Sequence, residues 1–455
     1  MQLTLADVIQ AIGAAESVDV DASVILTGVS TDTRSIQPGQ LFVALASEQS
    51  DGHLYLAQAA AKGAVAAVVS RRVEDASIPT ILVLDTLVAF GEIANKWRKQ
   101  FSGSVIGITG SVGKTTTKEM TAAALSPLGK VVRTEKSQNN ESGVPLTLLR
   151  IDSDTAAAVI EMGMRGAGQI DYLCGIAEPD LGAITAIAEN HVELLGSVDA
   201  IADAKGELLE ALPPDGIAVL NVGEAYFSRL RNRTGARVVT VGVEQTADFV
   251  ARNVQAAADG LLFEVNGISV SLKSASRHDV SNALIALALA VESGVSLADA
   301  ANALSTEYQP PAMRMQIETD TAWGGAVLND AYNAAPASVR SALDTLVHYS
   351  GGRKIAFLGD MKELGDLSAQ AHADLGRTIA DLGGIDHLYT VGDLAAGIPG
   401  ATDRFGSSVE AAEFARTEFK PQTGDTILVK GSRAMAMEKV VQALLSGTRG
   451  AIVNG

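Results

Sequence analysis

Val105-Ile106-Gly107-Ile108-Thr109-Gly110-Ser111-Val112-Gly113-Lys114-Thr115-Thr116-Thr117 decides the fold of this chain. Residues 105–108 are a short apolar run and read as a buried strand. A glycine-rich turn follows. Residues 114–125 hold good helix formers and neither Pro nor Gly, so they predict a helix. Strand, glycine loop and helix in that order are the setting of a phosphate-binding loop. Its glycines let backbone N–H groups curl around phosphate oxygens, and the helix N-terminus adds the positive end of its dipole. Lys114 would reach the β- and γ-phosphates, and the Thr115 hydroxyl would sit on Mg²⁺. The general pattern asks for Gly six residues before the Lys. Here that position is Ile108, and what remains is T-G-S-x-G-K-T-T. The competing reading is a glycine-rich turn with an incidental Lys.

The whole chain has 455 residues, a length that suggests about three domains. It is 47% hydrophobic and 19% charged, which suits large cores. Its net charge of −18, from 35 Lys and Arg against 53 Asp and Glu, argues against nucleic acid or an anionic membrane surface as partners. A nucleotide is not excluded, because its phosphates are held locally. Cys174 is the only cysteine, so no intrachain disulfide can form and a reducing cytoplasm is the expected compartment. Residues 1–7 lack the basic and apolar regions of a signal peptide. The most apolar helical run, 283–291, is too short to span a bilayer and reads as a core helix.

Toward the N-terminus, residues 1–86 read as a small α/β unit. Residues 3–12 predict an amphipathic helix, 54–62 an Ala-rich helix, and 41–45, 65–69 and 81–84 strands. Pro38-Gly39 and Asp51-Gly52-His53 read as turns. Arg34 and His53 are weak signals on chemistry alone. Residues 86–100 predict a helix leading into the phosphate loop.

Past that loop, 131–133 predicts a strand. Residues 134–143 carry no apolar side chain and read either as a substrate loop or as a solvated one. The predicted strand 156–160 ends in Glu161. Ligands of open parallel sheets gather at strand carboxyl ends, so Glu161 stands where a second Mg²⁺ ligand or a water-positioning acid belongs. A strand over 181–187 brings His191 to the same edge, as a ligand or as a structural histidine. Lys205, on a predicted helix 199–212, has the small neighbours Ala202, Ala204 and Gly206 and is either solvated or catalytic. Residues 248–272 alternate as hairpins do, and a helix 280–292 closes the middle unit. At Gln309-Pro310-Pro311 the pattern resets. Strands at 327–328, 355–358, 388–391 and 427–429 then alternate with helices near 337–347, 367–382, 408–418 and 434–445, which predicts a small doubly wound domain. No G-x-G-x-x-G is present, so no dinucleotide cofactor is expected.

Taken together, these residues resemble the Mur ligases of bacterial cell-wall synthesis, most closely the MurF type. Thr109 to Thr116 looks like the family's own phosphate loop, which lacks the first glycine. Asn139-Asn140 before Gly143-Val144-Pro145, Glu161-Met162-Gly163-Met164-Arg165-Gly166, Ala204-Lys205-Gly206-Glu207, Asp330-Ala331-Tyr332-Asn333, Gly359-Asp360-Met361 and Lys430-Gly431-Ser432-Arg433 are similar to that type. Asp32-Thr33-Arg34, Leu41-Phe42-Val43-Ala44 and Asp51-Gly52-His53 look like the UDP-sugar domain it shares with the MurE type.

The resemblance implies an α/β protein of three domains. These are a UDP-binding domain over 1–86, an ATP-binding domain with a mostly parallel sheet over 87–312, and a Rossmann-like doubly wound domain over 313–455. It implies an ATP-dependent amide ligase that adds D-Ala-D-Ala to UDP-MurNAc-tripeptide through an acyl phosphate. The alternative is MurE-type addition of a single diamino acid. ATP would be held by Thr109, Gly110, Ser111, Val112, Gly113, Lys114, Thr115 and Thr116, with Asn282 near the adenine and Arg314 and Asp330 completing the site. Thr115 and Glu161 would hold one Mg²⁺. His191 and a Lys205 carbamylated by CO₂ would serve a second. Lys114, Glu161, His191 and Lys205 would carry catalysis. Asp32, Arg34, Phe42, Asp51, Gly52, His53, Asn139, Asn140 and Arg165 would face the UDP-sugar peptide. A monomer is the default expectation. Departures from the MurF pattern are Ala335 for a usual Asn, Met313-Arg314 for Gly-Arg, and Ala46-Ser47-Glu48 where a Gly-Glu or Gly-Arg pair is common.

Overall fold

A computed structural model describes residues 2–446, apart from 48–49, 75, 190–191, 258–259, 320 and 322. Among the described residues, the largest sheet has nine strands. Their order is Ile268–Leu272, Gly260–Val265, Phe249–Ala257, Arg237–Val243, Ile217–Asn221, Leu181–Ile184, Ser104–Thr109, Thr155–Glu161 and Lys130–Arg133. The first three pair antiparallel as hairpins, and the remaining pairs are parallel. Ser104–Thr109 therefore lies between Thr155–Glu161 and Leu181–Ile184. The chain leaves it toward one edge and later returns to its other side, the arrangement that opens a crevice at the carboxyl ends of strands.

Val105, Ile106 and Ile108 are fully buried because helices cover both faces of this sheet. Ile106 and Ile108 pack with Met120 and Leu125 of helix Lys114–Leu125 and with helix Asp279–Glu292. Val105 packs on the other face with Ile170, Ile201 and Leu208. Residues 283–290 are buried on every side, which makes this the core helix its composition predicts. No helix among the described residues is long and apolar enough to cross a membrane.

The N-terminal sheet has the order Glu16–Val18, Thr80–Leu82, Ala66–Val69, Gln40–Val43 and Gly28–Ser30, with the first strand antiparallel and the rest parallel. Helix Thr86–Arg98, capped by the Asp85 carboxylate, joins it to the central sheet. Phe90 and Ile93 pack into the N-terminal core and Ala94 into the central one. The third sheet runs Gln316–Glu318, Ala326–Asp330, Thr426–Lys430, Lys354–Gly359, His387–Val391 and Asp403–Phe405, parallel apart from its first strand. Helices Pro336–His348 and Ser368–Leu382 cover one face, and Ser408–Thr417 and Glu438–Ser446 the other. It is doubly wound, as the alternation predicts.

Several boundaries differ from expectation, each for a local reason. Residues Leu3–Thr4 pair with Ile25–Leu26 as a strand, and the helix starts at Leu5, where Thr4 and Asp7 form a capping box. The strand expected over 181–187 stops at Ile184, because Thr185 turns its hydroxyl to Val112 O (2.5 Å). The helix expected from 434 begins at Glu438, since Ala436 is left-handed at φ 51°. Helix Asp279–Glu292 does not close the middle unit. Leu297–Glu307, capped by Ser296, follows it and packs on the phosphate-loop helix.

Candidate active site

Gly113, left-handed at φ 87°, turns the chain into helix Lys114–Leu125. A Cβ there would stand 2.7 Å from Asn282 Oδ1. Gly110 has even less room, because a Cβ would meet Thr185 Oγ1 at 2.0 Å. The loop is pinned to the segment after Leu181–Ile184: Ser111 N donates to Ala186 O (2.7 Å) and Ser111 Oγ to Ala188 O (3.0 Å). Lys114 folds over its own loop, with Nζ donating to Gly110 O (2.7 Å) and Ser111 O (3.3 Å). Burial lowers this ammonium from its ordinary value, nearby Glu161 opposes the shift, and Arg314 adds to it.

The loop opens into a cleft of about 470 Å³ between the central and third sheets. Eleven expected ATP-, metal- or substrate-binding residues line it: Ser111, Val112, Gly113, Lys114, Thr115, Thr116, Asn139, Glu161, Asn282, Arg314 and Asp330. Thr109 lies beneath the loop instead, fully buried, with its hydroxyl donating to Met162 O (2.8 Å). Asn282 Nδ2 donates to Asp279 Oδ1 (2.8 Å). The Arg314 guanidinium lies 4.1 Å over the Tyr332 ring. Asp330 accepts from Lys430 Nζ (2.5 Å) and Met315 N (3.2 Å), so it braces the start of the third sheet at the cleft wall.

Glu161 is 2% exposed at the last position of its strand. Its Oε1 accepts from Asn139 Nδ2 (2.8 Å), while the buried Oε2 has no hydrogen-bond donor. Asn139 thus lines this cleft and not the second one described below. Lys205 is 2% exposed within helix Val198–Glu210 and lies outside the cleft lining. Burial moves its ammonium well down, and the charge of Lys114 adds to that. His191 lies outside the described residues. Among those described, no three His, Cys, Asp or Glu side chains form a metal cage. The orphaned Glu161 oxygen, in the same cleft as Thr115, instead fits a hard cation that draws its remaining ligands from phosphates and water.

Glu224, Asp279 and Lys430 also line this cleft. Sequence reasoning did not assign them to it, although Lys430 ends a strand and that position was itself a signal. Glu224 accepts from Ile187 N (3.0 Å) and is raised by burial. Asp279 is raised by burial too.

A second cleft of about 830 Å³ opens between the N-terminal sheet and the loop 140–142. Asp32, Arg34, Phe42, Gly52 and Asn140, five of the residues expected to face the UDP-sugar peptide, line it together. Asp51 and His53 stand behind it. His53 is buried, with Nδ1 2.7 Å from Asp51 Oδ1 and Nε2 accepting from Ser70 N (2.9 Å). The Arg71 guanidinium and His53 hold the Asp51 carboxyl down at about 2. These two residues brace the turn. Arg165 lies outside both clefts, its amide donating to Gln169 Oε1 (2.6 Å).

Three family models match the chain: the Mur ligase family catalytic domain over 25–98, the Mur ligase middle domain over 108–290, and the Mur ligase glutamate ligase domain over 313–433. Two curated relatives are named UDP-N-acetylmuramoyl-tripeptide--D-alanyl-D-alanine ligase. The one from Synechocystis is 39% identical, covering 92% of each chain. The one from Escherichia coli is 37% identical over 93% of this chain and 94% of its own. Among solved structures, MurF from Acinetobacter baumannii superposes with a TM-score of 0.89 at 32% identity, covering 98% of this chain and 99% of its own. MurF ligase from Thermotoga maritima in complex with ADP gives 0.82 at 25% identity, over 93% and 98%. With two curated relatives 37–39% identical along almost its whole length, and three family models falling in order on its three larger sheets, the chain belongs to the Mur ligase family.

Proposed function

We propose that this chain is an ATP-dependent amide ligase that joins D-Ala-D-Ala to the terminal carboxylate of UDP-MurNAc-tripeptide. One observation carries the reading. The phosphate loop and Glu161 of one sheet face Arg314, Asp330 and Lys430 of another across a single cleft, and Asn140, next to Asn139 of that cleft, opens on a second. The Synechocystis and E. coli relatives bear the name of this activity. The domains would be 1–86, 87–312 and 313–455, acting as a cytoplasmic monomer.

In this reading the tripeptide carboxylate attacks the γ-phosphorus of ATP and ADP leaves. The amine of D-Ala-D-Ala then attacks the acyl phosphate carbon, loses a proton and expels phosphate. Phosphoryl transfer asks a protein mainly for position and charge. The loop amides and Lys114 hold the β- and γ-phosphates, Asn282 faces the adenine, and Arg314 and Asp330 close the far wall. Thr115 and Glu161 would hold one Mg²⁺, and His191 with carbamylated Lys205 a second; bound there, the ions neutralise phosphate charge. A carbamate forms on a neutral amine, and the burial of Lys205 favours that form. Asp32, Arg34, Phe42, Gly52 and Asn140 would bind the UDP-sugar end. Closure of the third domain would keep water from the acyl phosphate.

Phosphate release with ATP and Mg²⁺ tests the proposal. Release should require both UDP-MurNAc-tripeptide and D-Ala-D-Ala. Release with UDP-MurNAc-dipeptide and a single diamino acid would move the chain to the MurE type.

A further inference from the structure

Lys118 lies one turn beyond Lys114 on the phosphate-loop helix but faces the interior, 1% exposed. A buried lysine is expensive unless its charge is matched, so its surroundings should disclose its use. Nζ donates to Thr134 O (2.7 Å) and lies 3.0 Å from Glu119 Oε1. It also lies 3.8 Å from Glu161 Oε2, too far for a hydrogen bond and near enough for strong attraction. Thr134 ties the group together: its hydroxyl accepts from Glu161 N (3.0 Å), and its own amide donates to Val159 O (3.1 Å). Asn139 fastens the other carboxylate oxygen. Glu161 is therefore gripped at Oε1 and at its backbone. Its buried Oε2 keeps a positive charge nearby and accepts no hydrogen bond.

We propose that Lys118 is a positioning residue for the divalent cation of this site. Its charge holds the Glu161 carboxylate in place while leaving Oε2 free for the ion. The inference rests on the ligase reading only in taking Glu161 as the magnesium carboxylate. A direct Lys118–Glu161 hydrogen bond would compete with the ion. The anchor on Thr134 O keeps the ammonium from making one.

Two variants separate charge from packing. Lys118→Met removes both the charge and the bond to Thr134. Lys118→Gln keeps a donor for Thr134 O and removes the charge. Calorimetry of ADP binding, in EDTA and across a Mg²⁺ titration, should show EDTA affinity within about twofold of the parent in both variants. The Mg²⁺ concentration for half-maximal binding enhancement should rise about tenfold in both. Unchanged Mg²⁺ dependence in folded Lys118→Gln would overturn the proposal. So would an equal loss of ADP affinity with and without Mg²⁺, or failure of both variants to fold, since Lys118 would then serve the phosphate or the fold alone. If the parent itself binds ADP without regard to Mg²⁺, the ligase reading fails at its metal site, a result distinct from any difference among the variants.

Discussion

In the proposed ligase Lys205 would have to give up its proton before taking up CO₂, and its burial pushes it in that direction. The unfolded chain holds the proton up to about pH 10.5, whereas the folded chain releases it at lower pH. The unfolded state thus binds more protons between those two values, and stability contributed by this group rises with pH across that window. Lys205→Met keeps the length and removes the charge. In CO₂-free buffer near pH 7 it should raise the thermal midpoint, with the gain fading as the pH approaches 10.5, and in buffer containing bicarbonate it should abolish ligation. A lowered midpoint would contradict this account. Glu161→Gln should cost about 100-fold or more in kcat with an unchanged circular dichroism spectrum, measured at saturating ATP. Cys174 is buried and pushed up to about 12. It should resist Ellman's reagent at pH 8 in the native protein and react at once in denaturant. Glu161 was legible from the sequence because the end of an apolar strand is a readable position. The partner of Asn139 was not, because it depends on how ten polar residues fold back on themselves.

The phosphate-loop helix was legible to the residue, as Lys114–Leu125, since its glycine turn and helix formers mark both ends. Elements whose limits depend on tertiary partners were not. Helix Gln169–Ala177 follows a left-handed Gly168, and its apolar face shows only once it meets helix Val198–Glu210. Two glycines of the phosphate loop and one outside it, Gly166, make a graded test. Gly113→Ala places an L-residue at φ 87° and crowds Asn282, a strain of about 1–2 kcal/mol. Gly110→Ala drives a Cβ into Thr185 and should weaken nucleotide binding more than Gly113→Ala. Gly166→Ala, with open space around it, should leave both stability and binding unchanged. Isothermal titration with ADP alongside thermal melts would rank the three, and equal effects from Gly110→Ala and Gly166→Ala would refute the geometry.

At the scale of the molecule, the three larger sheets each bring their own buried cores. Scanning calorimetry should therefore resolve more than one transition, with MgADP raising those of the central and third sheets and leaving the N-terminal one in place. A single transition shifted as a whole by MgADP would refute this. The alternation of strands and helices made all three units readable. What it could not give was the way the loop 134–143 reaches across them. Ser137 meets the Tyr332 hydroxyl of the third unit, Asn139 holds Glu161, and Asn140 to Ser142 line the N-terminal cleft. A ligand in either cleft therefore touches the same short loop, and a loop fixed at three points passes a shift at one attachment on to the others. Nucleotide and UDP-sugar peptide should each tighten the other's Kd by the same factor, a cooperativity that needs no movement of any domain.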